Sequence, residues 1–195
     1  MTKQDYRLAF LISIFICVWM LPVFLLVELP KWLIPAAFSA IIILIPFGIL
    51  VGSILQEAFG MGARFSKYVA AGLLSFSIDF GTLNVISYLT GITAGIAVGW
   101  INIPGFILGL TNAYLWNKLW VFQKSEGSHW NHFPKFLFVV IIGMLINSFV
   151  VVWITSTVPP PFWTSGSQWL NIAKLIATCI AIIWNFFGYK FIAFR

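Results

Sequence analysis

The stretch that decides the fold of this 195-residue chain reads FSKYVAAGLLSFSIDF, residues 65–80. A lysine, Lys67, opens an apolar run, and a carboxylate, Asp79, follows inside the same run. In a membrane helix rising 1.5 Å per residue, Asp79 would lie about 18 Å from Lys67, near the middle of a hydrocarbon core roughly 30 Å thick. A charge at that depth costs at least about 2.5 kcal/mol, so Asp79 is the first candidate for a functional residue.

The rest of the chain has the composition of an integral membrane protein. Hydrophobic residues make up 61% of it and charged residues 8%, whereas soluble domains carry about 25% charged residues. Six apolar stretches have the ~20 residues that a spanning helix needs, and backbone in lipid must satisfy its own hydrogen bonds. The stretches are residues 8–27, 32–55, 68–90, 97–116, 136–155 and 170–189. The sequence therefore predicts an all-α integral membrane protein with six transmembrane helices.

The basic residues orient these helices. The formal net charge is +6 at pH 7, and Lys31 and Lys174 stand apart from the other lysines and arginines. The others fall on one side of the membrane if both termini are cytoplasmic: Lys3, Arg7, Arg64, Lys67, Lys118, Lys124, Lys135, Lys190 and Arg195. This is the asymmetry of the positive-inside rule. We therefore predict cytoplasmic termini and no nucleic-acid partner.

No motif predicts an enzyme. The histidines His129 and His132 are too few to hold a metal ion. The chain has 5 acidic residues, and it lacks paired carboxylates, a nucleophile–base motif and a phosphate-binding glycine loop. We expect no catalytic residue, no metal and no cofactor.

The chain repeats itself. FSKYVAAGLLSFSIDF is similar to FPKFLFVVIIGMLINSF at 133–149, and Asp79 corresponds to Asn147 at a shift of 68 residues. Trp116-Asn117 matches Trp184-Asn185 at the same shift, and KLWVF at 118–122 matches KFIAF at 190–194 at a shift of 72. Self-similarity at a fixed period marks repeated units, and units of two helices enter the membrane from the same side. We predict a two-helix hairpin at 1–63 and a four-helix domain at 64–195, built as two parallel two-helix repeats.

Helical spacing gathers polar and small residues on one face of each of the last four helices. From the third to the sixth helix, these faces contain, in turn, Gly72, Ser75, Asp79 and Thr82; Asn102, Gly105, Gly109, Asn112 and Trp116; Gly143 and Asn147; and Asn171, Lys174, Thr178, Ala181 and Asn185. Such residues either bond helices together or line a cavity. Our hypothesis places Asp79 in a small hydrated cavity. Lys174 is expected near the outer interface, where its long side chain can snorkel; a direct Asp79–Lys174 ion pair is the alternative.

These residues resemble those of the GtrA-like family. The resemblance covers residues 63–195 and rests on RFSKYVAAG, the acid in SIDF, NKLWVF, FPKF and WNFFGYKFIAF. The second end reads KFIAF where KxWVF is usual, and the first two helices are extra. The resemblance implies a multi-pass protein of a prokaryotic plasma membrane that flips a polyprenyl-phosphate-linked monosaccharide for polysaccharide synthesis or glycosylation. It also implies a membrane glycosyltransferase as partner and no catalytic residues.

A flippase of this kind needs cations for the phosphate and polar groups for the sugar. Our candidates for substrate binding and translocation are Ser75, Asp79, Asn112, Asn117, Lys118, Asn147, Lys174, Asn185 and Lys190. Two other functions fit the same residues: an adapter that anchors a polyprenyl-phosphate glycosyltransferase, and a small proton-coupled exporter that uses Asp79. The close-packing glycines Gly105 and Gly109 make a homo-oligomer a further expectation.

Overall fold

The computed structural model describes residues 1–27, 30–59, 62–121 and 133–188. Within these ranges it is all-helical, and six helices are long and apolar enough to cross a membrane. The helices are α1 (Lys3–Leu26), α2 (Leu33–Phe59), α3 (Gly62–Thr90), α4 (Ile96–Trp116), α5 (Phe133–Thr157) and α6 (Gly166–Gly188). The predicted all-α, six-helix membrane protein is confirmed, whereas the repeat, the domain boundary at 63/64 and the cytoplasmic termini stay predictions.

Two helices begin before their apolar stretch. Helix α1 begins at Lys3 because Thr2 and Asp5 form a capping box: the Asp5 N–H donates to Thr2 Oγ1 at 3.3 Å, and the Thr2 N–H donates to Asp5 Oδ2 at 2.8 Å. Helix α3 begins at Gly62, so that Arg64 and Lys67 lie inside its first turns. Hydropathy predicts only the apolar part of a helix. Lysine and arginine have high helix propensity, so a helix can extend past its apolar part.

Helix α4 does not end at Trp116 but continues as a π-helical segment, Asn117–Val121. This segment carries most of the NKLWVF motif. Trp120 and Val121 are both buried within it. π-Helical turns are rare and are often found at functional sites, so the motif coincides with an unusual backbone.

The chain forms two compact units. The first unit contains Met1–Thr82 and Ile107–Ser125, and the second contains Leu83–Phe106 and Glu126–Arg195. In the first unit, α1 packs along α2, and a buried apolar cluster joins residues such as Ile12, Ile49 and Leu74. In the second unit, α5 packs along α6 around a separate cluster that includes Leu83 and Leu170.

Candidate substrate-binding clusters

Lys174 is the most deeply buried charged side chain among the described residues. It is 0% exposed, and its Nζ donates to Asn102 Oδ1 at 2.7 Å and to Asn147 Oδ1 at 3.1 Å. The expectation that Lys174 snorkels to the interface is therefore wrong. The two amide oxygens solvate the ammonium inside the second unit, and an ammonium in apolar surroundings requires such acceptors.

The amides that hold Lys174 are themselves bonded. Asn102 Nδ2 donates to Asn147 Oδ1 and to Ser148 Oγ, each at 3.0 Å, and Asn147 Nδ2 donates to Thr178 Oγ1 at 3.4 Å. The Thr178 hydroxyl donates in turn to the Lys174 carbonyl at 2.8 Å. We call these five residues the lysine–asparagine cluster. It joins α4, α5 and α6 through one ammonium, which only donates, and through amides and hydroxyls, which can both donate and accept.

A second amide pair lies one helical turn before Lys174 on α6. Asn84 and Asn171 exchange two hydrogen bonds, each amide nitrogen donating to the other's oxygen at 2.8 Å. Both residues are buried. This Asn84–Asn171 pair joins the last turns of α3 to α6 within the second unit, and reciprocal bonding leaves it little capacity for a ligand.

The first unit brings together three of the predicted residues. Asn112 Nδ2 donates to Ser75 Oγ at 2.9 Å, and the Ser75 hydroxyl donates to the Ala71 carbonyl at 2.9 Å. A Cβ atom added at Gly109 would lie 2.7 Å from the Ser75 carbonyl oxygen and 3.4 Å from Asp79 Cβ. The absence of a side chain at Gly109 therefore lets α4 approach α3 at backbone distance beside Asp79, as small residues do in membranes.

Two predicted asparagines have a side-chain oxygen that accepts no hydrogen bond within the described part of the chain. The Oδ1 atoms of Asn117 and Asn185 are buried, and no donor from the described residues reaches them. The predicted repeat aligns these two positions. Lys118, beside Asn117, is exposed, and its Nζ lies 5.7 Å from the centroid of the Tyr114 ring. The candidate Lys190 lies outside the described residues.

Sequence reasoning missed an ion pair in the first unit. Lys67 Nζ lies 2.6 Å from Asp5 Oδ1, which also accepts a hydrogen bond from Trp120 Nε1 at 2.9 Å. Lys67 Nζ lies 5.5 Å from the centroid of the Trp120 ring. We call Asp5, Lys67 and Trp120 the aspartate–lysine cluster. The available signal was the spacing of Thr2 and Asp5, which is that of a capping box and predicts an ordered carboxylate at the start of α1.

Other residues were missed because their hydrogen-bond partners lie on different helices. Asn102 was placed on the polar face of its helix but not among the site candidates, and Asn84 and Ser148 were not singled out. An asparagine in an apolar run is a signal of an interhelical bond. Its partner, however, lies on another helix and cannot be read from spacing within one.

Comparison with known proteins agrees with the resemblance seen in the motifs. The family model described as "GtrA/DPMS, transmembrane domain" matches residues 67–194. A curated relative, a dolichol-phosphate mannosyltransferase from Pyrococcus furiosus, is 29% identical over 133 residues, which cover 68% of this chain and 32% of the relative. The chain thus spans about a third of that relative's length. No solved structure matches this chain. Since the family model covers most of the chain, the protein belongs to the family of GtrA/DPMS transmembrane domains.

Proposed function

We propose that this protein moves a polyprenyl-phosphate-linked monosaccharide across the membrane, from the cytoplasmic to the outer leaflet. The resemblance implies this activity for the family, and the similarity to an enzyme named for dolichol phosphate is consistent with a lipid of that chemical class. Such a lipid has three parts: an apolar tail that stays in the bilayer, an anionic phosphate and a polar sugar. The protein must supply polar partners for the last two.

The observation that carries the proposal is the lysine–asparagine cluster. Lys174 lies eight residues into α6, about 12 Å along the helix axis from Gly166, and it is 0% exposed. Intramembrane ionisable groups face a protein interior or a cavity and mark substrate pathways. A phosphate oxygen is a stronger acceptor for an ammonium than an amide oxygen is, so an incoming lipid phosphate can replace Asn102 or Asn147 on Lys174.

The amides would take part in this exchange. Asn102 and Asn147 each carry an NH2 group as well as an oxygen, and rotation of an amide turns a donor toward a ligand. One ammonium and two amides can together bind several oxygens of a phosphate. Ser148 and Thr178, which now accept from those amides, then keep the displaced groups bonded.

The sugar would use other candidates. The buried oxygens of Asn117, in the first unit, and Asn185, in the second, accept no hydrogen bond from the described residues, and a sugar hydroxyl can supply a donor to either one. Exposed Lys118 and the predicted inner Lys190 would attract the phosphate as point charges before entry. Ser75, Asp79 and Asn112 offer a second polar surface in the first unit. These roles follow the chemistry of the groups and are part of the proposal.

Translocation can be measured directly. We would reconstitute the protein in proteoliposomes with a short-chain polyprenyl-phosphate monosaccharide and compare it with empty vesicles. Lys174→Met should lower the rate by about tenfold to hundredfold, since hydrogen bonds to charged groups contribute about 1.5–3 kcal/mol. Lys31→Met, the same change at an exposed lysine, should transport normally. Monodisperse protein that moves no lipid above empty vesicles would contradict the proposal.

A second candidate function is an adapter for a glycosyltransferase. The observation that favours it is the length of the curated relative: this chain matches only 32% of a protein named as a mannosyltransferase. In this case the amide clusters serve to pack helices, and the partner is a separate membrane glycosyltransferase in the plasma membrane of a prokaryote. Co-purification with such an enzyme, together with no transport, would favour the adapter.

The exporter stays the third alternative, and Asp79 tests it. In an exporter this carboxylate alternates between a proton and a cationic substrate. Asp79→Asn should then abolish resistance to cationic compounds in cells while the protein still inserts and folds. Unchanged resistance would reject the exporter. In the flippase, the same substitution should lower transport of the lipid-linked sugar.

A further inference from the structure

The aspartate–lysine cluster has the donors of an anion site. Four groups donate to the Asp5 carboxylate: Lys67 Nζ at 2.6 Å and Trp120 Nε1 at 2.9 Å bind Oδ1, and the Thr2 N–H at 2.8 Å and hydroxyl at 3.1 Å bind Oδ2. The Trp120 side chain is buried, and the Lys67 side chain is 18% exposed. An ammonium and an indole N–H that converge on one oxygen form charge-assisted hydrogen bonds, which are the stronger class.

The donors and the anion come from different parts of the chain. Lys67 and Trp120 lie within residues 67–194, the range matched by the family model, whereas Asp5 lies outside it on α1. Both donors are therefore parts of the family domain, and the added N-terminal helix supplies the carboxylate. Trp120 also belongs to the π-helical segment Asn117–Val121.

We propose that Lys67 and Trp120 form a binding site for a phosphoryl anion, and that Asp5 is a tethered carboxylate that occupies this site until a phosphate displaces it. Carboxylate and phosphate oxygens accept the same charge-assisted bonds, and a phosphate brings more oxygens. The site lies near the first turns of α3, on the side that the positive-inside rule predicts to be cytoplasmic. It would receive the phosphate before transport, and Asp5 would restrict entry to ligands that compete with it.

Displacement of Asp5 needs only a local change. The residue lies in the first turn of α1, and among the described residues its Oδ2 accepts hydrogen bonds from Thr2 only. Helix ends open locally more easily than helix interiors do. Withdrawal of the carboxylate would free Lys67 and Trp120 together, because both bind the same oxygen.

Equilibrium binding tests this site without any need for transport. The probe is farnesyl phosphate, titrated against the full chain in nanodiscs, with farnesol as the probe lacking phosphate. Asp5→Asn should raise the affinity for farnesyl phosphate by about tenfold or more, because the site no longer has an internal occupant. Adding Lys67→Gln should abolish this gain, and adding Lys3→Gln, a matched loss of charge at an exposed residue of the same turn, should not.

The outcomes separate the possible ligands and the structural alternative. Competition by inorganic phosphate at similar concentrations would assign the site to free phosphate, and competition only by lipid phosphates would assign it to the lipid headgroup. Equal affinities of wild type and Asp5→Asn, an equal gain for farnesol, or a gain that survives Lys67→Gln would overturn the inference and leave a structural ion pair. If Asp5→Asn is not monodisperse, Thr2→Ala, which removes one donor to the carboxylate, should give a smaller gain. No gain there also overturns the inference.

The inference rests on the proposed function for the choice of a lipid probe and for the order of binding before transport. Farnesyl phosphate binding that depends on Asp5 and Lys67, without any transport, would keep the site and reject the flippase. Transport that Lys174→Met lowers tenfold or more, with a phosphate affinity that Asp5→Asn does not change, would support the flippase and reject the site.

Discussion

The two units hold a lysine in different ways. In the first unit, Lys67 is 18% exposed and lies 2.6 Å from the carboxylate of Asp5. In the second unit, Lys174 is 0% exposed, and the amide oxygens of Asn102 and Asn147 lie 2.7 and 3.1 Å from its ammonium. A carboxylate neutralises an ammonium, and an amide only solvates it. Under our proposals, Asp5 is therefore an internal anion that competes with a ligand for Lys67, whereas the amide oxygens on Lys174 are weaker acceptors than a phosphate.

The ion pair of the first unit should have the largest effect on stability. Lys67→Met leaves the carboxylate of Asp5, which is 9% exposed, without its ammonium. Breaking a buried pair costs about 3–5 kcal/mol, and we expect a loss of about 3 kcal/mol in the free energy of unfolding because Lys67 is partly exposed. Unfolding in mixed micelles measures it.

The matched variant is the double mutant Asp5→Asn/Lys67→Met, which removes both charges. It should recover part of the loss, because no charge is then left without a partner. A double mutant no more stable than Lys67→Met alone would mean that the pair contributes nothing beyond its separate side chains, and the contrast with Lys174 would then lose its basis.

The sequence predicts much of this structure, but it does not predict the partners of Lys174 and of Asp5. Length and hydropathy predict all six helices, because a lipid solvent requires about 20 apolar residues in each. Helical spacing places Asn102, Asn147 and Lys174 on polar faces. It could not predict that Lys174 points inward, since the choice between snorkelling and burial depends on acceptors from two other helices. Asp5 was missed because its partners, Lys67 and Trp120, come from distant parts of the chain.

Close backbone packing in the first unit is the next feature to test. A Cβ atom at Gly109 would lie 2.7 Å from the Ser75 carbonyl oxygen, and one at Gly72 would meet nothing within 4 Å. Gly109→Ala should therefore destabilise the protein by about 1–3 kcal/mol through overpacking. Gly72→Ala should be neutral or slightly stabilising, because alanine favours the helix. Equal unfolding free energies for the two variants would show that α4 does not depend on this approach.

The Asn84–Asn171 pair predicts the smallest effect and separates packing from transport in the second unit. Asn84→Ala removes both reciprocal bonds, each 2.8 Å long. Hydrogen bonds between membrane helices contribute about 0.6 kcal/mol on average and at most about 1.7 kcal/mol. We therefore expect Asn84→Ala to lower the free energy of unfolding by an amount in that range. Because the pair is not among the groups proposed to bind the substrate, transport in proteoliposomes should change less than twofold. A transport loss as large as that of Lys174→Met would place Asn84 with the lysine–asparagine cluster. The polar residues of α6 from Asn171 to Asn185 would then form one functional surface, and the Asn84–Asn171 pair would not be a separate packing contact.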